Sequence, residues 1–132
     1  MGRLQPWRRM LQWGAGIGIA GLLALGSAQA RESAPVIDAV PLTQLPDQAQ
    51  AVYRVILTGG PFRYSKDGSA FGNREKLLPA EPRGFYREYT VATSGARNRG
   101  ARRIICGGQV PTVPTACYYT GDHYASFKRI TP

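Results

Sequence analysis

One helical stripe followed by nothing but strand patterns limits what this chain can become. Ala49, Val52, Tyr53, Ile56 and Leu57 recur at i, i+3, i+4, i+7 and i+8, which puts them on one face of a helix. Gln48, Gln50 and Arg54 face away. Leu45-Pro46-Asp47 opens the helix, with proline in the first turn and an acid near the positive end. Gly59-Gly60-Pro61 ends it, because glycine tolerates left-handed backbone and proline cannot continue the ladder. From Phe85 the pattern turns aromatic and β-branched. Strands are expected over residues 85–91, 102–106, 117–120 and 124–130, the last two flanking Gly121-Asp122 as a hairpin turn. Residues 36–40 form a short extended segment, and residues 71–78 hold a further short strand broken by Pro79 and Pro82. The implied fold class is α+β, a single N-terminal helix packed on an antiparallel β-sheet. Phe85, Tyr89, Ile104, Ile105 and Phe127 are its expected core.

The first 30 residues stand apart from this pattern. Arg3, Arg8 and Arg9 occur with no acid, then comes an uncharged, mostly apolar run over 11–26, then Ala28-Gln29-Ala30. That order reads as a signal peptide cleaved after Ala30, leaving a domain of residues 31–132. The apolar run is shorter than the ~20 residues a spanning helix needs, so no stable membrane association of the mature chain is expected. Arg8-Arg9 also fits twin-arginine export. The destination is the medium or the periplasm.

The chain has 132 residues and a net charge of +9, which becomes +6 once the three leader arginines are removed. A domain of this size is expected to be a monomer with a usable core. Lysine occurs only at 66, 76 and 128, so the basic character is arginine, whose planar fork suits phosphate. A basic balance favours polyanionic partners. Cys106 and Cys117 are the only cysteines. In an exported chain the pair reads as a disulfide at the root of the 107–116 loop, worth roughly 2–3 kcal/mol, with two buried thiols as the alternative. One histidine and no second cysteine cluster leave too few ligands for zinc, so no metal or cofactor is expected.

Residues 84–108 carry the chemistry. The first strand holds one carboxylate, Glu88, and the loop and second strand hold Arg97, Arg99, Arg102 and Arg103. His123, the only histidine, lies downstream in a turn. RNA brings its own nucleophile, the 2′-hydroxyl. Its cleavage needs a base, an acid and cations around the phosphoryl group. Glu88, His123, Arg99 and Arg103 supply that set. Each has a duller reading when taken alone: a paired surface acid, an idle exposed imidazole, a solvated basic face. Asp67 and Asp122 read as hydrogen-bonding turn residues.

Several motifs resemble the barnase-like family of microbial guanyl-specific ribonucleases. They are Gly60-Pro61-Phe62, Phe71-Gly72-Asn73-Arg74-Glu75, Arg87-Glu88-Tyr89-Thr90-Val91, residues 97–107 and Tyr118-Tyr119-Thr120-Gly121-Asp122-His123-Tyr124. Together they cover most of residues 42–130, in the family's order. The resemblance implies the microbial ribonuclease fold and cleavage of single-stranded RNA after guanosine, through a 2′,3′-cyclic phosphate, followed by hydrolysis. Glu88 matches the general base and His123 the general acid. Arg99 and Arg103 match the arginines that hold the phosphate, and Tyr124 an aromatic hydroxyl beside it. The guanine site matches residues 71–75: Glu75 would accept N1–H and N2–H, Asn73 and Arg74 would offer backbone amides to O6, and Phe71 would pack near the base. Gly72 departs from relatives with a polar side chain there, and the 107–116 loop is a variable segment. Lys66 is a candidate extra phosphate contact. The resemblance also implies a barstar-like acidic protein inhibitor as a partner. The rival reading is a non-catalytic exported domain that binds nucleic acid or another polyanion.

Overall fold

Helix α1, Asp47–Thr58, forms where the apolar spacing demands it. The Pro46 carbonyl receives the first helical amides, from Ala49 and Gln50. Gly59 ends the helix at φ 85°, and the Gly60 amide returns to Val55 O at 3.1 Å. Ala49, Tyr53 and Ile56 are buried, and Val52 packs beside them. Leu57 departs from the expected stripe: it is 43% exposed, because the sheet covers a narrower arc than the apolar face offers. The computed structural model describes residues 34–132 and, ahead of them, Gly2, Gly14, Gly16, Gly18 and Gly21. Apart from those glycines, the expected signal peptide lies outside the described residues.

The strands are β1 (Ala39–Pro41), β2 (Ser69–Ala70), β3 (Tyr86–Thr90), β4 (Arg103–Gly107), β5 (Ala116–Thr120) and β6 (Lys128–Thr131), in the sheet order β1-β6-β5-β4-β3-β2. The fold class is the α+β expected. One edge departs from a purely antiparallel sheet: β1 runs parallel to β6, pairing Ala39 with Arg129 and Val40 with Ile130. A long-range pairing of this kind leaves no local pattern in the sequence.

Two expected strands are shorter than the sequence suggested. Over residues 71–78 only the preceding Ser69–Ala70 pairs. The Asn73 side chain accepts from Leu78 N and donates to Leu78 O, which closes a loop instead. The expected 124–130 strand begins at Lys128, so the turn after β5 is a loop of residues 121–127 and not a tight hairpin. Thr120, Asp122 and Ser126 hold that loop through side-chain bonds.

The period of two divides the sheet into two faces. Tyr89, Ile104, Cys106 and Cys117 lie on α1's side, in one core with Ala49, Tyr53 and Ile56. Cys106 and Cys117 face each other across β4 and β5 and are joined by a disulfide. The opposite face carries Tyr86, Ile105 and Tyr118, buried with Leu78 and flanked by Phe71, Phe85 and Phe127. Of the expected core, Tyr89, Ile104 and Ile105 are buried, whereas Phe85 and Phe127 are half-buried. Glu88, Thr90, Arg103 and Thr120 fall on this second face, because Glu88 pairs with Ile105, Thr90 with Arg103, and Arg103 with Thr120. No helix among the described residues is long and apolar enough to cross a membrane.

Candidate active site

Alternation on β3 brings Glu88 and Thr90 to the same face, and β4 places Arg103 beside Thr90. Glu88 is mostly covered, with 14% of its side chain exposed. Its Oε1 meets Arg99 Nη2 at 3.4 Å, and its Oε2 accepts from the Tyr124 hydroxyl at 2.7 Å. Arg99 is aimed by Thr90, whose Oγ1 accepts from Nε at 3.0 Å and from Nη2 at 2.7 Å.

Arg103 is 2% exposed, an unusual burial for a guanidinium. Backbone carbonyls pay for it. Nη1 donates to Arg102 O at 2.8 Å, Gly100 O at 3.0 Å and Arg99 O at 3.4 Å. Nε donates to the Tyr124 hydroxyl at 3.2 Å. This arrangement occupies one side of the guanidinium with structure and leaves Nη2 without a protein hydrogen bond among the described residues. Gly100 sits at φ 63°, and a Cβ there would come 2.6 Å from Thr93 Oγ1, so the loop that supplies these carbonyls requires glycine.

His123 and Tyr124 are consecutive residues with left-handed backbone, at φ 54° and 72°. Both are non-glycine, which makes the conformation uncommon. The His123 ring lies 4.8 Å from the Tyr124 ring, and its amide donates to Ala101 O at 2.9 Å. Burial first, then the bond to the Glu88 carboxylate, pushes the Tyr124 hydroxyl above its ordinary value of 10.0, so it remains an O–H donor at neutral pH.

A cavity of about 280 Å³ adjoins this cluster. Phe71, Asn73, Arg74 and Glu75 line it, together with Glu88 and Tyr124. Phe71 stacks on Tyr124 with ring centroids 5.2 Å apart and meets Phe127 edge-on at 6.1 Å. Asn73, at φ 49°, uses its side chain on Leu78 and Pro79, so only its backbone can serve a ligand. Arg74 and Glu75 are exposed at the rim.

Glu88, Arg99, Arg103 and Tyr124 form one hydrogen-bonded cluster, and Phe71, Asn73, Arg74 and Glu75 line the adjoining cavity, whereas the exposed His123 meets that cluster through its ring contact with Tyr124 and three other basic residues stand apart. Arg97 is exposed on the loop, and Arg102 lies by Tyr119 on the other face. Lys66 sits in an exposed turn and does not line the cavity. Sequence reasoning missed Thr90 and Thr120, both buried hydroxyls that orient site residues. The alternation rule could have found Thr90, two residues after Glu88 on one strand.

The profile of the ribonuclease family matches residues 28–131. Guanyl-specific ribonuclease Sa3 of Kitasatospora aureofaciens is 51% identical over 98 residues, covering 74% of this chain and 67% of that protein. Guanyl-specific ribonuclease Sa of the same organism is 51% identical over 89 residues, covering 67% of this chain and 88% of that protein. Guanyl-specific ribonuclease St of Saccharopolyspora erythraea is 44% identical over 91 residues, covering 67% of this chain and 83% of that protein. Among solved structures, ribonuclease Sa2 with guanosine-2′-cyclophosphate superposes with a TM-score of 0.66 at 41% identity, covering 74% of this chain and 98% of that one. The chain belongs to the microbial guanyl-specific ribonuclease family.

Proposed function

From that membership, we propose that the chain cleaves single-stranded RNA on the 3′ side of guanosine, in two steps. In the first, Glu88 takes the proton of the ribose 2′-hydroxyl. The 2′-oxygen bonds to phosphorus as the bond to the 5′-oxygen breaks, and His123 protonates that leaving oxygen. The product is a 2′,3′-cyclic phosphate. In the second, His123 accepts a proton from water, the water oxygen attacks phosphorus, and Glu88 returns a proton to the 2′-oxygen, leaving a 3′-phosphate. Arg99 and Arg103 meet the charge that develops on the phosphoryl oxygens, and Tyr124 holds Glu88 and Arg103 in register.

One observation carries this reading: a single cavity joins Glu88 and Tyr124 to Phe71, Asn73, Arg74 and Glu75. A base lodged there sits next to the groups suited to its phosphate. Guanine presents two donors beside one acceptor, which Glu75 and the loop amides complement. Uracil, cytosine and adenine lack that pattern.

Cleavage of the segment before residue 31 and export to the medium or periplasm belong to the same proposal, as does an acidic protein inhibitor matched to the +6 domain. The test is a labelled mixed-sequence RNA treated with residues 31–132 in the presence of EDTA. Fragments ending in guanosine cyclic phosphate are expected, since the RNA supplies the nucleophile. Intact RNA bound in a salt-dependent, base-indifferent way would replace the enzyme with a polyanion binder.

A further inference from the structure

The 121–127 loop carries more side-chain hydrogen bonds than a connection between two strands requires, and they centre on Asp122, which takes no part in the proposed proton transfers. Asp122 Oδ1 accepts from Thr120 Oγ1 at 2.8 Å and from Ser126 N at 2.9 Å, and Oδ2 accepts from Ser126 Oγ at 2.6 Å. Thr120 Oγ1, with its proton directed to Asp122, accepts the Tyr124 amide at 3.1 Å and the Asp122 amide at 3.4 Å.

We propose that Asp122 is a positioning residue, which acts through Thr120 and Ser126 to hold the left-handed backbone of His123 and Tyr124 and so aims both side chains at the site. The inference rests on the ribonuclease reading for its kinetic consequence. Two successive non-glycine residues at positive φ would relax toward commoner backbone without local bonds to hold them. Thr120 is 1% exposed and pairs with Arg103 on one rung of the sheet, so the frame is fastened directly across from the buried guanidinium. The Asp122 carboxylate fixes which way the Thr120 hydroxyl points. Without it, that hydroxyl is free to turn its proton toward the Tyr124 amide and break the bond. Hydrogen bonds from Ser126 and then Thr120 hold the Asp122 carboxyl below its ordinary value, so it stays an acceptor at neutral pH.

The experiment compares Asp122→Ala and Asp122→Asn in kcat and KM on a guanosine dinucleotide, in guanosine affinity, and in the ring-proton NMR signals of His123, the chain's only histidine. A group displaced by a fraction of an ångström loses rate with little change in base binding, so kcat should fall about tenfold to a hundredfold in Asp122→Ala while guanosine affinity holds. The His123 signals should move away from their positions beside the Tyr124 ring. Asp122→Asn keeps an oxygen for Thr120 and Ser126 N and should recover most of the rate. A folded Asp122→Ala with wild-type kcat and unmoved His123 signals overturns the inference. Should Asp122→Ala not fold, Thr120→Val against Thr120→Ser asks the same question of the hydroxyl, and equal behaviour of the two also overturns it. If the wild-type chain does not cleave RNA after guanosine, the ribonuclease reading fails alone, because the His123 signals still decide this one.

Discussion

The Tyr124 hydroxyl donates to Glu88 Oε2 at 2.7 Å while accepting from Arg103 Nε at 3.2 Å, so one phenol fastens the carboxylate to the buried guanidinium. Tyr124→Phe keeps the stack on Phe71 and removes only this bridge. We expect kcat/KM to fall about tenfold to a hundredfold, the equivalent of a charged hydrogen bond worth roughly 1.5–3 kcal/mol. Unchanged kinetics would show that Glu88 and Arg103 hold their places without it.

Glu88→Gln and His123→Gln each keep size while removing a proton acceptor or donor. Each should lower the cleavage rate by roughly 10²–10⁴ with the circular-dichroism spectrum intact. The wild-type rate should trace a bell against pH, because one group must be bare while the other is protonated. Full activity in Glu88→Gln would remove it as the base.

The two arginines should separate activity from stability. Arg103 is buried and satisfies three backbone carbonyls, so Arg103→Ala should cost roughly 2–4 kcal/mol in a denaturant titration as well as activity. Arg99 is 28% exposed, and Arg99→Ala should cost under about 1 kcal/mol while still lowering kcat roughly a hundredfold. Equal stability losses in the two variants would contradict the geometry.

Alkaline stability follows from the phenols. Burial above all pushes Tyr86, Tyr89, Tyr118, Tyr119 and Tyr124 above 10.0, Tyr86 most strongly. Above pH 10 the unfolded chain sheds these protons while the folded chain retains them, so the unfolded state binds fewer and stability falls as pH rises. The thermal midpoint should hold below about pH 10 and fall progressively as pH rises beyond it. Tyr86→Phe should flatten that slope, and a level midpoint in the wild type would refute the assignment.

Much of this was legible in the residues because it rests on local periodicity. The α1 stripe and the β3, β4 and β5 strands came from spacing and side-chain type, and the order of motifs placed Glu88, Arg103, His123 and Glu75 in one family pattern. What escaped was set by bonds that periodicity does not record. Asn73 turns back on Leu78, and Thr120 and Asp122 hold an expected hairpin turn as a longer hydrogen-bonded loop. The adjacent arginines 102 and 103 part to opposite faces by simple alternation, which a stricter use of the period of two would have foreseen. The parallel β1–β6 edge depends on residues some 90 positions apart, and no local signal carries it.

We propose that Glu88, His123, Arg99 and Arg103 share one phosphate, with the guanine beside it in the cavity lined by residues 71–75. A crystal structure of residues 31–132 with guanosine 3′-monophosphate tests it most directly. The phosphate should lie among those four side chains, the base against Phe71, and the Glu75 carboxylate on N1–H and N2–H. A phosphate bound elsewhere on the basic surface, or a base outside the loop of residues 71–75, would contradict it.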